Sequence, residues 1–181
     1  MNATIKLDKH ISKVIRWLQQ AQIDKDDPRD VLKGIHVNEN LAACDGYRLH
    51  VAKVNDENVS GMIVKQALKG HTVDLGTIRA GENLVEPTSI PGTYPEWEQI
   101  LPQDNPAYEI VINPNHLIDA LKGLDDSVRL RFYAPDKPFE VMGNIYTKSG
   151  SINETPVYAL IMPNQGMDLK RWTPKDEEAQ A

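Results

Sequence analysis

The sequence predicts an α+β fold of two β-α-β-β-type halves, with helices packed on one side of antiparallel sheet. Three observations carry this. A strand–helix–strands pattern near the start returns after residue 107, with Leu117, Ala120, Leu121 and Leu124 each 106 positions after Ile11, Val14, Ile15 and Leu18. Asp45-Gly46 lies between two apolar runs, a strong hairpin signal, because a type I′ turn needs positive φ at both central residues. Both helices also carry start signals: Asp8 as one N-cap, and Asn113 as the other, followed by Pro114 at the first helical position.

Composition narrows the class. The 181 residues are 40% hydrophobic and 25% charged, as in a soluble globular protein with one sizeable core. No apolar run is long enough to span a membrane, and the Met1-Asn2-Ala3-Thr4 start lacks signal-peptide character. A single cysteine, Cys44, excludes an internal disulfide and fits a reducing cytoplasm, which is the expected location. The formal charge of −6 argues against wholesale coating of nucleic acid, yet leaves room for contact through a local basic face.

In order, residues 3–7 read as a strand. A helix follows Asp8, its buried stripe made by Ile11, Val14, Ile15 and Leu18 and another face by Lys9, Lys13, Arg16 and Gln20. Asp24 to Pro28 breaks it. Residues 32–37 read as a strand, then the hairpin of Leu41–Cys44 and Leu49–Val54. Met62–Val64 and Thr72–Leu75 read as short strands, with a weak helical turn over Lys65–Lys69. Gly81–Pro95 reads as loop or irregular edge. Tyr108–Ile112 then reads as a strand before the second helix. Strands at Val128–Tyr133, Phe139–Met142 and Asn144–Thr147 precede a buried final strand, Val157–Pro163. The expected organisation is a first half (1–56), a middle segment with connector (57–106), a second half (107–165) and an extension (166–172), together one domain. A flexible polar tail (173–181) follows.

Four stretches resemble, in the same order, the bacterial DNA polymerase III beta subunit, or sliding clamp, family. Leu32-Lys33-Gly34 is similar to the family's Leu-x-Gly strand. Ala43-Cys44-Asp45-Gly46-Tyr47-Arg48-Leu49 resembles its Ala-Thr-Asp-Gly-His-Arg-Leu signature. Tyr94-Pro95-Glu96-Trp97-Glu98-Gln99-Ile100-Leu101-Pro102 resembles its Phe-Pro-Asp-Tyr-x-x-Val-Leu-Pro connector, and Tyr158–Pro163 its Tyr-Val-Val-Met-Pro-Met end. The resemblance implies a DNA-clamp-like fold over residues 1–172. The family's first domain has no counterpart, Tyr47 replaces the signature histidine, and Gln99 stands where the connector often has arginine.

By this resemblance the protein is a DNA replication or repair accessory, a polymerase processivity factor without enzymatic activity or cofactor. It implies a pocket that takes short linear peptides of polymerase or repair proteins. Leu32, Cys44, Gly46, Tyr47, Arg48 and Leu49 come from the first two stretches, Pro95 and Ile100 from the connector, and Leu160, Met162 and Pro163 from the chain end. Leu, Ile, Met and Pro make an adaptable apolar cleft, and Gly46 allows close backbone approach. Taken singly, Leu32, Leu49, Leu160 and Met162 also read as core. The resemblance further implies that Lys9, Lys13 and Arg16 meet DNA phosphates without sequence preference, in a homo-oligomer that encircles the duplex. A solvated helix face is the other reading of these cations. The second helix, with Asp119, Lys122, Asp125 and Asp126, is net acidic. The alternative function is a monomeric or dimeric peptide-binding adaptor, or clamp competitor, that does not encircle DNA. A small enzyme using Cys44 or a histidine is the reading from another class. Cys44 itself reads as a small hydrophobe, since nothing nearby marks a thiolate. The five histidines show no metal-ligand spacing.

Overall fold

Helix α1 of the computed structural model spans Lys9–Gln19 and starts where Asp8 caps it, its Oδ1 accepting from the Ile11 N–H at 2.8 Å. Ile11, Ile15 and Leu18 are buried and Val14 packs beside them, as the periodicity predicts. Each such side chain contributes roughly 1.5–3 kcal/mol on burial. The described residues are 5–53, 64, 66–76, 78, 84–102, 104, 106–124, 127–146 and 154–164. They fall in two compact units, 1–101 and 102–181.

In the first unit, α1 packs on an antiparallel sheet. Its strands are β2 (Ile35–Val37), β3 (Leu41–Cys44), β4 (Leu49–Ala52), β5 (His71–Asp74) and β7 (Thr88–Ile90), in the order β4-β3-β2-β5-β7. A separate pair joins β1 (Ile5–Lys6) to β6 (Leu84–Val85). Side chains alternate across a strand, so β3 divides its residues between two cores. Leu41 and Ala43 face α1 with Ile35, Val37 and Val73; Ala42 and Cys44 face the other way, toward Leu32, Tyr94 and Trp97. One sheet therefore carries a helix on one face and the connector on the other.

Several expectations change in detail. The hairpin is not closed by a two-residue type I′ turn: Cys44 pairs with Leu49, leaving residues 45–48 as a four-residue loop. Only Gly46 in this loop has positive φ, +93°. The reason is the Asp45 carboxylate, whose Oδ1 accepts from the N–H groups of Tyr47 and Arg48, both at 2.9 Å. Residues 30–33 form a 3-10 turn, and the strand begins only at Ile35. The stretch Gly81–Pro95, expected as loop or irregular edge, supplies β6 and β7. Val64, expected in a strand, is helical and buried, as is Leu68; residues 62 and 63 lie outside the described residues.

The second unit has a three-stranded antiparallel sheet, β10-β9-β8, made of β8 (Arg129–Arg131), β9 (Phe139–Tyr146) and β10 (Glu154–Ile161). Helix α2 (Pro114–Leu121) begins at Asn113, whose side-chain oxygen accepts from the Asn115 N–H at 3.0 Å, with Pro114 in the first turn as predicted. Phe139, Val141 and Ile161 are buried under Leu117, Ala120 and Leu121 of α2. The two short strands expected between 139 and 147 are one continuous strand. Residues 108–112 form no strand; the Val111 carbonyl instead accepts from the Asn164 N–H at 2.7 Å, past the end of β10. The final strand is not buried as a whole. Period-2 alternation turns Ile161 into the core and leaves Tyr158, Leu160 and Met162 exposed. The extension and tail, 166–181, lie outside the described residues.

Candidate functional site

A second apolar cluster of the first unit lies on the sheet face away from α1. Cys44 and Leu49 are directly paired across β3 and β4, as are Ala42 and Val51, so one row of small and branched side chains forms its floor. The connector closes over it. Trp97, in a 3-10 turn over Trp97–Ile100, is buried with Tyr94, and Leu101 packs at the edge. Tyr94 stacks on His36 of β2, with ring centroids 4.7 Å apart and planes 7° from parallel. Its hydroxyl donates to the Cys44 sulfur at 3.4 Å. Burial first, and then Cys44, push the Tyr94 phenol up, which keeps it protonated as a donor.

The hairpin loop forms a polar rim. Asp45 Oδ2 accepts from Arg48 Nε at 2.9 Å, and the loop's backbone N–H groups, Tyr47 first, hold the Asp45 carboxyl below its ordinary range. Arg29 reaches the loop from the preceding segment, with Nη2 3.5 Å from the Asp45 carbonyl oxygen. Asp27 orients it through paired contacts of 3.0 and 2.8 Å, and the Arg29 side chain holds the Asp27 carboxyl at about 2.

The predicted residues take distinct places. Leu32 is buried in the apolar cluster, Cys44 and Leu49 are half-buried against it, and Gly46 and Arg48 lie in the adjoining hairpin loop. Tyr47 projects almost wholly into solvent, 97% exposed. Pro95 and Ile100 are exposed on the connector. In the second unit, Leu160, Met162 and Pro163 line an open groove of about 450 Å³, with His116, Asp119 and Ala120 of α2 and Asn164. The sequence reading missed Val31, Val51, Tyr94, Trp97 and Arg29. Two of these, Tyr94 and Trp97, stood in the connector already singled out, where their large rings between prolines were the available signal. Nothing in the sequence points from Arg29 to residue 45.

On the opposite face, α1 exposes Lys9 and Lys13 and half-exposes Arg16, whose Nε donates to the Ser12 carbonyl at 3.2 Å. The helix has no acidic residue in its first turn. Among the described residues, no group of three His, Cys, Asp or Glu side chains could hold a metal ion, and no helix is long and apolar enough to cross a membrane.

No protein-family model and no curated protein matches the chain. Solved structures do. A DNA polymerase sliding clamp from Pseudomonas aeruginosa superposes with a TM-score of 0.51 at 18% identity, over 92% of this chain and 52% of the clamp. The beta sliding clamp of C. crescentus gives 0.53 at 14% identity, over 90% of this chain and 50% of that one. The fold is clamp-like. This chain thus spans about half the length of the clamps it matches. In the first unit, residues of the hairpin and of the connector pack together on one sheet face.

Proposed function

We propose that this protein is a non-enzymatic, clamp-like accessory of DNA replication or repair that binds short linear peptides of polymerase or repair proteins. The observation that carries the reading is the apolar cluster between hairpin and connector. The hairpin and the connector meet on one sheet face, leaving Cys44, Leu49, Val51 and Leu101 half-buried around buried Leu32 and Trp97. Half-buried apolar side chains beside rigid, fully buried ones suit anchor residues of an extended peptide. The polar rim of Arg29, Asp45 and Arg48 offers backbone and side-chain partners to the same peptide. In the second unit, the groove lined by Leu160, Met162 and Pro163 is assigned to partner binding as well.

Lys9, Lys13 and Arg16 are assigned to DNA phosphates. They lie on the helix side of the sheet, so peptide and DNA contact use different faces. A chain that spans about half a clamp needs several copies to close a ring. Helix α2 (Pro114–Leu121) carries Asp119 and no Lys or Arg, while Lys122, Asp125 and Asp126, expected on it, follow its last residue in the sequence. This lack of cations favours a second reading, a monomeric or dimeric adaptor that keeps the peptide site and does not encircle DNA.

Titration with a labelled, apolar-anchored peptide from the tail of a bacterial replicative polymerase tests the proposal. Leu49→Ala combined with Met162→Ala, one change in each unit, is expected to abolish binding; unchanged affinity would remove both assignments. Light scattering across protein concentrations separates the two forms. A closed oligomer of uniform mass supports the ring, and a monomer at all concentrations supports the adaptor.

A further inference from the structure

On the helix side of the first unit, Trp17 of α1 stacks on His50 of β4, with ring centroids 4.3 Å apart and planes 13° from parallel. His50 cannot turn freely, because its Nδ1 donates to the Trp17 carbonyl oxygen at 2.8 Å. One face of the indole is thus covered by a fixed imidazole, yet 44% of Trp17 remains exposed. The core does not require this arrangement: α1 buries Ile11, Ile15 and Leu18 on another side. Trp17 follows Lys13 by one helical turn, so the partly exposed ring borders the cationic stripe at Lys13.

A flat, pre-oriented aromatic surface at the edge of a cationic helix stripe matches a ligand that is itself flat and anionic along its chain. In a duplex the base faces are hidden by stacking, so only unpaired nucleotides present such a face. We propose that the Trp17–His50 pair is a stacking platform for an unpaired base of single-stranded DNA, whose phosphates run along Lys13 and Arg16. This rests on the assignment of α1 to DNA, and it adds a preference that phosphate contact alone does not supply.

The test compares the full chain with Trp17→Ala, Trp17→Leu and Trp17→Phe, using a fluorescently labelled oligothymidylate and a labelled duplex. Truncation of one stacking aromatic is expected to weaken oligothymidylate binding roughly 5- to 150-fold, while duplex affinity stays within about twofold. Leucine fills the same flank without a π-face, so Trp17→Leu carries the prediction if Trp17→Ala does not fold. Phenylalanine restores most of the affinity. Equal losses on both DNAs, or no loss on either, would overturn the platform. Wild-type binding to the oligonucleotide but not the duplex leaves the platform standing and removes the duplex-encircling reading. Binding to neither removes both.

Discussion

The Tyr94 hydroxyl donates to the sulfur of Cys44 across 3.4 Å, tying the connector to the last residue of β3. This contact joins two of the four sequence stretches, and it sits at the floor of the proposed peptide cleft. Tyr94→Phe keeps the ring that stacks on His36 and removes the donor. It should lower stability by about 0.5–1.5 kcal/mol, measured by urea unfolding. No change would show that the hydrogen bond does not fasten the connector.

Gly34 leads into β2 with no room for a side chain. A Cβ there would stand 2.7 Å from Ile90 Cδ1, 2.8 Å from Thr72 Cγ2 and 2.9 Å from the Val73 carbonyl oxygen. Gly34→Ala is therefore expected to destabilise the protein by about 1–3 kcal/mol, through overpacking alone. Thermal unfolding checks this, and a variant as stable as wild type would contradict the close approach of β5 and β7.

Two acid-side windows follow from the titrating groups. Burial holds the His36 imidazole below its ordinary 6.5, against a smaller upward pull from Glu98. The unfolded chain takes up this proton first, so the stability His36 gives is complete above about pH 6.5 and falls as pH drops through the lower folded value. Hydrogen bonds depress the Asp45 carboxyl too, so its contribution is present above the ordinary 3.8 and is lost only in stronger acid. His36→Gln should flatten the stability profile in the upper window alone, and Asp45→Asn in the lower one alone. Denaturant midpoints against pH distinguish them.

The cations of α1 give a salt test. Each phosphate contact contributes about 0.9 to the slope of log affinity against log salt. Lys13→Glu with Arg16→Glu should weaken duplex binding and make that slope shallower. An unaltered slope would return these residues to the role of a solvated helix face.

Much of this architecture was legible from local rules. The stripe of α1 and the caps at Asp8 and Asn113 follow from periodicity and side-chain chemistry within a few residues. The Asp45-Gly46 hairpin was legible, but its loop was not. The short Asp45 carboxylate gathers the N–H groups of Tyr47 and Arg48, and that local capture displaced the two-residue turn. Strands β6 and β7 were hidden because Pro, Gly and Thr around them mimic loop, while their pairing partners, β1 and β5, come from distant sequence. Leu160 and Met162 looked buried in an apolar run, yet alternation puts them on the exposed side of β10. Of the apolar cluster between hairpin and connector, the sequence singled out Leu32, Cys44 and Leu49. It missed Tyr94 and Trp97 as walls because nothing local says which side of the sheet the connector covers.

The most direct test of peptide binding is to map the amide and methyl resonances of the isotope-labelled chain during titration with the polymerase-tail peptide. Saturable shifts are expected at Cys44, Leu49, Val51 and Leu101, and at Leu160 and Met162, with Ile11, Ile15 and Leu18 of α1 undisturbed. Shifts confined to α1, or none at saturating peptide, would contradict peptide binding at these residues.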